Sequence, residues 1–241
     1  MARLDPVAVT PEVVPENTVP VLDHGFVRLD DAMASDLSVV NGARVSFARR
    51  KLEMEVADEG LIRFLMRERH ASPFEHSVFR FHVRSPIFVA REWFRHRWGS
   101  FNEFSMRYAK ATDEFYVPEP EDVRTQVGKP GAYSFEPVDD ELAERTRDEL
   151  REVYEHAFET YERLVEAGVA RELARSVMPV GAYTEFYWTV NARALMNFVS
   201  LRAAEAAQRE IRRYAEAVEQ FFAAKMPVTH AAFVQAGRIA P

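Results

Sequence analysis

The pattern of apolar and polar positions marks two stretches of the chain as β-strands. In residues 76–84, Phe79, Phe81 and Val83 alternate with polar side chains, which is typical of a strand with one buried face. Residues 183–190 (YTEFYWTV) are rich in aromatic and β-branched side chains and predict a second strand. Two further short strands are predicted at residues 21–29 and 114–118.

Helical spacing and capping residues predict helices around these strands. The longest covers residues 139–167, where apolar side chains recur on one face, and Gly168 is its predicted stop. Ser35 is predicted to cap a short helix that ends near Arg44, and Asp58 to cap the next helix. Further predicted helices run from Pro86 to about Arg97, from the region after Gly168 to Met178, and from Asn191 toward Lys225.

Strands that are separated by helices around one core predict an α+β fold. We expect a single domain over residues 21–241, with a mainly antiparallel sheet flanked by helices. Residues 1–20 carry four prolines, which oppose helix formation and sheet pairing, and are predicted to be an extended N-terminal arm. Residues 118–137 are rich in proline and glycine and are predicted to be an excursion loop.

Composition narrows the class of protein. Of 241 residues, 47% are hydrophobic and 29% are charged, as in ordinary globular domains. The chain contains neither a signal peptide pattern nor an apolar run of membrane-spanning length, so we expect a cytoplasmic protein. The absence of cysteine excludes disulfides, thiolate metal sites and a cysteine nucleophile. Three histidines also lack the spacing of a helical zinc pair, so no metal site is expected: His70, His76 and His82.

Charge is distributed unevenly along the chain. The formal net charge is −7, yet residues 84–110 carry six basic and two acidic side chains, a local charge of +4. A positive segment in an acidic protein favours a pocket for a small anionic ligand over a general nucleic-acid surface.

The stretch RHRWGSFNEFSMRY, residues 95–108, concentrates the candidate chemistry. Its guanidiniums, Arg95, Arg97 and Arg107, suit bidentate contacts to phosphate oxygens. Ser105 adds a neutral donor, and Glu103 can accept a hydrogen bond from a sugar or base. The alternative is a solvated basic loop at a helix C-terminus, where cations are favoured in any case.

The order Arg95-His96-Arg97, followed by Ser105, resembles the signature of the flavin-dependent thymidylate synthases. Asn102, Glu103, Arg107 and Tyr108 extend the match. The resemblance spans residues 21–225. Six further segments match the family in its usual order: HGFVRLDD (24–31), ARVSF (43–47), HASPFEH (70–76), PIFVAREWFRHR (86–97), ARSVMP (174–179) and FYWTVNARALMNFVSLR (186–202).

The resemblance implies two adjoining sets of site residues. The FAD set is Ser46, Ser72, Glu75, His96, Arg97, Trp98, Asn102, Asn191, Arg193 and Asn197. The nucleotide set is Glu92, Arg95, Glu103, Ser105, Met106, Arg107, Arg175 and Arg202. Arg202 and His70 are the implied catalytic residues, with His70 near the place where nicotinamide and folate approach. Glu92 stands where relatives often carry glutamine, and Ala206 where some carry histidine.

The implied reaction is the reductive methylation of dUMP to dTMP. Methylenetetrahydrofolate donates the carbon, NADPH-reduced FAD supplies the hydride, and a homotetramer shares its active sites between subunits. No enzyme nucleophile is implied: the chain has no cysteine, and its sequence places no base beside Ser105. Two other hypotheses stay open, a nucleic-acid-binding module and a related flavoprotein with another nucleotide substrate.

Overall fold

A computed structural model describes residues 17–129 and 132–241. Its strands are β1 (Thr18–Val21), β2 (Gly25–Met33), β3 (Val78–Pro86), β4 (Gly99–Glu103), β5 (Arg124–Lys129), β6 (Ala132–Pro137) and β7 (Tyr183–Asn191). Its helices are α1 (Asp36–Arg44), α2 (Val56–Arg67), α3 (Ile87–Trp93), α4 (Asp140–Glu166), α5 (Arg171–Ala174), α6 (Ala192–Arg202), α7 (Arg209–Lys225) and α8 (Pro227–Gln235). Across the described ranges, none of these helices is long and apolar enough to cross a bilayer.

Five strands form one antiparallel sheet in the order β1-β2-β3-β7-β4. The buried side chains of the central strands β3 and β7 are mostly aromatic or β-branched, and in the β3–β7 register Phe81 lies opposite Trp188. These two rings stack with their centroids 5.7 Å apart. The predicted α+β class is confirmed, as is the long helix, which is α4.

Two predicted helix caps are confirmed. The side chain of Ser35 accepts a hydrogen bond from the Ser38 amide at 3.1 Å, and that of Asn191 accepts one from the Ala194 amide at 2.9 Å. Gly168 has a φ of +86°, the left-handed conformation that ends α4.

The N-terminal arm ends earlier than predicted. Residues 18–21 form β1, so the single strand predicted at 21–29 is in fact the second strand of a hairpin. Pro20 has no backbone N–H to donate. It is tolerated because β1 is an edge strand, which has a neighbouring strand on one side only. Residues 1–16 of the predicted arm lie outside the described residues.

The excursion predicted at 118–137 is not an unstructured loop. It contains a short 3-10 helix, Pro120–Asp122, and the hairpin β5–β6. The strand predicted at 114–118 is reduced to a single bridge between Phe115 and Ala182. Pro120 starts the 3-10 helix and Gly128 lies inside β5, so proline and glycine do not exclude regular structure in this segment.

Two predicted helices are also corrected. The helix expected to reach Arg97 ends at Trp93, and β4 starts at Gly99, after residues 94–98. The helix expected from Asn191 to Lys225 is interrupted between α6 and α7, and α8 follows after Met226.

Asp58 is not the cap of α2 but the third residue of a capping box. Glu55 is the cap, and the Asp58 carboxylate accepts the Glu55 amide at 2.9 Å. The same buried carboxylate accepts hydrogen bonds from Arg44 at 2.6 Å and Lys51 at 2.8 Å. Burial raises the pKa of Asp58, but the bonds from Lys51, Arg44 and Glu55 outweigh it and lower that pKa from 3.8 to about 2.

Replacing Asp58 with asparagine is expected to lower the free energy of unfolding at pH 7 by about 1.5–3 kcal/mol, because the bonds to Arg44 and Lys51 lose their charge. A carboxylate with a depressed pKa stabilises the fold above its unfolded value of 3.8, and this contribution is lost as the pH falls through about 2. The stability gap between wild type and Asp58→Asn should therefore narrow below about pH 4. Urea unfolding as a function of pH measures it. Glu59→Gln is the control, since Glu59 lies in the same first turn of α2 and has only a partly exposed ion pair with Arg63, and an unchanged gap at low pH would contradict the assignment.

Candidate active site

One end of the sheet carries a cavity of about 290 Å³. Strand β7 ends at Asn191, whose side chain caps α6, so the first turns of α6 line the cavity. Glu75 reaches it from the 3-10 helix Ser72–His76, and Trp98 from the residue before β4. The lining brings together five members of the predicted FAD set: Glu75, Trp98, Asn191, Arg193 and Asn197.

Arg193 is the cation of this cavity. Its Nε donates to the main-chain oxygen of Pro241 at 2.9 Å, and its Nη1 lies 3.5 Å from a carboxylate oxygen of Glu75. Ala240 and Pro241 therefore form part of the cavity wall, which no local sequence pattern indicated. Asn197, one helical turn further along α6, lines the same cavity.

Trp98 is the aromatic wall of the cavity and is 78% exposed. Gly99, which follows it, packs where a side chain does not fit. A Cβ built on Gly99 would lie 2.7 Å from Trp188 Nε1 and 2.9 Å from the main-chain oxygen of Thr189. This close approach fixes the start of β4 and with it the position of Trp98 beside the cavity.

A second group of residues lies where the end of α3 meets the end of α6. Arg202 Nε donates to His96 Nε2 at 3.0 Å, and Arg202 Nη1 donates to the Glu92 carboxylate at 3.0 Å. His96 also packs edge-on against the Phe198 ring, with centroids 5.0 Å apart. Together with Trp98 and Asn197, His96 lines a small cleft of about 20 Å³. His96 thus links the predicted FAD set to the predicted nucleotide set.

Burial and charge set the protonation of this group. Burial lowers the pKa of His96, and the positive charge of Arg202 lowers it further, to about 4. His96 is therefore neutral near pH 7. Burial raises the pKa of Glu92, with a smaller rise from the carboxylate of Glu210, while the Arg202 guanidinium opposes both.

The rest of the nucleotide set lies in three places: before β4 (Arg95), at its end and just after it (Glu103, Ser105, Met106 and Arg107), and after α5 (Arg175). Glu103 accepts a hydrogen bond from the Thr184 hydroxyl at 2.9 Å. The hydroxyl oxygen of Ser105 accepts the Arg107 amide at 3.3 Å. Three arginines of this set are exposed, as phosphate ligation would require: Arg95, Arg107 and Arg175. Met106 is instead buried in a small apolar cluster with Tyr161, so its side chain packs against the body of the protein.

Glu172 is a residue that sequence reasoning missed. Its carboxylate lies 3.4 Å from Arg107 Nη2, and it belongs to α5, the short helix that precedes Arg175. The neighbouring Arg171 donates to the main-chain oxygen of Tyr108 at 3.0 Å. These contacts bring the segment after β4 and the start of the Arg175 loop together. The glutamate three residues before Arg175 was the available signal, but by itself it resembles any surface helix.

Of the FAD set and His70, five residues line neither the cavity nor the small cleft at His96. Ser46 is exposed in the 3-10 helix that follows α1, and His70 is exposed beside the Phe64 ring at a centroid distance of 5.7 Å. Ser72 is exposed at the start of the 3-10 helix that carries Glu75. Arg97 and Asn102 are exposed on either side of the β4 start.

Comparison with known proteins identifies the family. Residues 28–228 match the family model described as "Thymidylate synthase complementing protein". The flavin-dependent thymidylate synthase of Thermotoga neapolitana is 49% identical over 217 residues, covering 90% of this chain and 94% of the relative. The chain belongs to the flavin-dependent thymidylate synthase family. The predicted family and its enzyme class, a methyltransferase, are therefore confirmed.

Other members of the flavin-dependent thymidylate synthase family agree. The enzyme of Thermus thermophilus is 48% identical over 216 residues, which cover 90% of this chain and 78% of that relative. A solved structure of the UMP/dUMP methylase PolB from Streptomyces cacaoi, bound with 5-Br UMP, is 45% identical. It superimposes with a TM-score of 0.85 over 92% of this chain and 98% of its own.

Gly99→Ala is expected to lower the free energy of unfolding by about 1–3 kcal/mol, because the added carbon must push against the main chain of β7. Urea unfolding measures the loss, and tryptophan fluorescence reports the displacement of Trp98. Gly60→Ala is the matched control, since a Cβ there meets nothing within 4 Å and Gly60 lies inside α2. That control is expected to raise stability by about 0.5–1 kcal/mol. Equal effects of the two variants would refute the packing argument.

Proposed function

We propose that this chain, as a member of its family, converts dUMP to dTMP with bound FAD, methylenetetrahydrofolate and NADPH. The balanced reaction yields dTMP, tetrahydrofolate and NADP⁺ from dUMP, methylenetetrahydrofolate, NADPH and one proton. The observation that carries the proposal is the 3.0 Å hydrogen bond between Arg202 and His96. It supports the proposal because it joins a residue of the predicted FAD set to one of the predicted nucleotide set, and hydride transfer requires such proximity.

The donors around the cavity fit a flavin dinucleotide. Arg193 provides a guanidinium for a phosphate or a ring carbonyl, Asn197 an amide, and Trp98 a largely exposed aromatic face. When bound, FAD supplies hydride equivalents that it receives from NADPH. A volume of about 290 Å³ is at the lower limit for ligand sites, so one chain provides only part of the cofactor site.

The remainder of the site is proposed to come from neighbouring copies in a homotetramer. Ser46, Ser72 and His70 are exposed and stand apart from the cavity of their own chain. Surface side chains of this kind are available to the site of another subunit. In this arrangement His70 lies at the flavin site near the folate, and Arg107 faces the nucleotide of a neighbouring subunit.

Arginine side chains are proposed to bind and activate the nucleotide. Arg95, Arg107 and Arg175 are exposed and suit the phosphate, while Arg202 stabilises negative charge on the uracil ring as the ring reacts. Glu103 and Ser105 orient the nucleoside. Within the described residues, Ser105 Oγ has only the Arg107 amide as a hydrogen-bond partner, so it has no general base and acts as a binding group.

The first test is the visible spectrum of the purified protein mixed with FAD. We expect an oxidised-flavin band that bleaches with NADPH, and dTMP formation once dUMP and methylenetetrahydrofolate are added. Mass spectrometry of the nucleotide product measures methylation, with UMP assayed in parallel because a solved relative is named a UMP/dUMP methylase. Methylation of UMP alone would replace dUMP as the substrate. DNA binding without flavin binding would instead support the nucleic-acid hypothesis.

The second test asks whether the active site is shared. Arg107→Ala and Arg202→Ala should each weaken nucleotide use about 10- to 150-fold, because each removes charge-assisted hydrogen bonds. If the two arginines of one site come from different subunits, mixed oligomers contain some sites with both arginines intact. Co-expression of differently tagged mutants should then restore activity that neither parent shows. Verified mixed oligomers with no gain in activity would refute the shared-site proposal.

A further inference from the structure

Arg202 is held by two residues on opposite sides of its guanidinium. Glu92, in the last turn of α3, accepts from Nη1 through its carboxylate at 3.0 Å and from Nη2 through its main-chain oxygen at 3.4 Å. His96 accepts from Nε at 3.0 Å. Three of the five N–H donors of the guanidinium are thereby used, which fixes its plane.

The contact between Glu92 and Arg202 restricts a guanidinium that would otherwise be mobile. The Arg202 side chain is 24% exposed and that of Glu92 30%, so the pair is half-buried and only partly screened by water. Arg202 is the last residue of α6, where the helix dipole also favours a cation. Glu92 supplies the opposite charge from a second helix, which makes the contact a clamp between α3 and α6.

The clamp also determines the state of His96. An arginine N–H can only donate, so His96 Nε2 must be the unprotonated acceptor and the ring proton lies on Nδ1. Burial and the adjacent Arg202 charge keep this imidazole neutral near pH 7. Glu92 therefore acts indirectly, through Arg202, on His96, a member of the predicted FAD set.

The chemistry of Glu92 argues against direct contact with the nucleotide phosphate. A carboxylate repels a phosphate dianion, and its Oε2 is already engaged by Arg202. The nearby Glu210, which accepts from Tyr116 at 3.1 Å and from Gln208 at 2.8 Å, adds a further negative charge on this side. Glu92 faces the guanidinium and not an anion site.

We propose that Glu92 is a positioning residue for the methylation reaction: it fixes the Arg202 guanidinium, and through it the His96 tautomer, between the flavin and nucleotide sites. The inference rests on the proposed function, and it replaces the direct nucleotide contact that the sequence resemblance implied for Glu92.

A double-mutant cycle tests this role. Glu92→Ala should lower kcat/KM for dUMP about 10- to 100-fold and weaken dUMP binding, measured by calorimetry on the FAD-loaded protein. Glu92→Gln retains an oxygen that accepts from Arg202 and should lose only about 3-fold. In an Arg202→Ala background, Glu92→Ala should cost nothing further, because Glu92 acts through Arg202. Glu149→Ala is the control, since Glu149 forms an exposed 3.6 Å ion pair with Arg145 on α4 and is not among the predicted site residues.

The outcomes separate this inference from the proposed function. Additive losses of activity in the double mutant would show that Glu92 acts independently of Arg202, and would overturn the positioning role. The proposed function would still be supported in that case, because it depends on turnover by the wild-type enzyme. A loss from Glu92→Gln as large as that from Glu92→Ala would also overturn the role as stated. Wild type that neither binds nor methylates dUMP would overturn the proposed function and this inference together. Thermal unfolding of each variant excludes a folding defect, and if Glu92→Ala does not fold, the cycle is completed with Glu92→Leu, which fills the space but cannot accept a hydrogen bond from Arg202.

Discussion

The pairing of β7 between β3 and β4 is the constraint on which the candidate site depends. Its register sets Trp188 opposite Phe81 on one side and opposite Phe101 on the other. Because side chains alternate between the faces of a sheet, a slip of one residue would turn the buried aromatic face toward solvent. The same slip would displace Asn191, where β7 becomes α6. The hydrophobic core therefore determines where the cavity begins.

The aromatic core also supports the junction between the two predicted residue sets. Trp93, at the end of α3, stacks on Phe198 of α6 at a centroid distance of 4.6 Å, and both contact Trp188. Phe198 in turn forms the apolar wall against which His96 packs. The ends of α3 and α6 are thus fixed by buried rings, and the polar contacts of Arg202 are added at the surface of a rigid core. Precise geometry at a site requires such support from its surroundings.

Sequence patterns predicted most of the fold where the signal was local. Alternation identified β3, aromatic and β-branched composition identified β7, and capping side chains identified the starts of α1 and α6. The failures involved long-range effects. Pro20 opposes a strand except at a sheet edge, and Gly99 resembles a helix stop until the position of β7 is known. The candidate site shows the same difference between local and long-range effects. The resemblance predicted five of the residues that line the cavity. The contacts of Glu172 and Pro241 join distant parts of the chain, so no sequence spacing predicts them.

Three arginines that are proposed to bind ligands each pair with a carboxylate of their own chain: Arg193 with Glu75, Arg107 with Glu172, and Arg202 with Glu92. A phosphate that binds such an arginine competes with the carboxylate. The first two pairs are largely exposed and each contributes about 0–1 kcal/mol, whereas a charge-assisted bond to phosphate contributes about 1.5–3 kcal/mol. In the proposed function, phosphate is therefore expected to displace these carboxylates. The Arg202 pair is more buried and has an additional main-chain contact, so we expect this arginine to keep its partner and to leave its remaining donors for the proposed contact with the uracil.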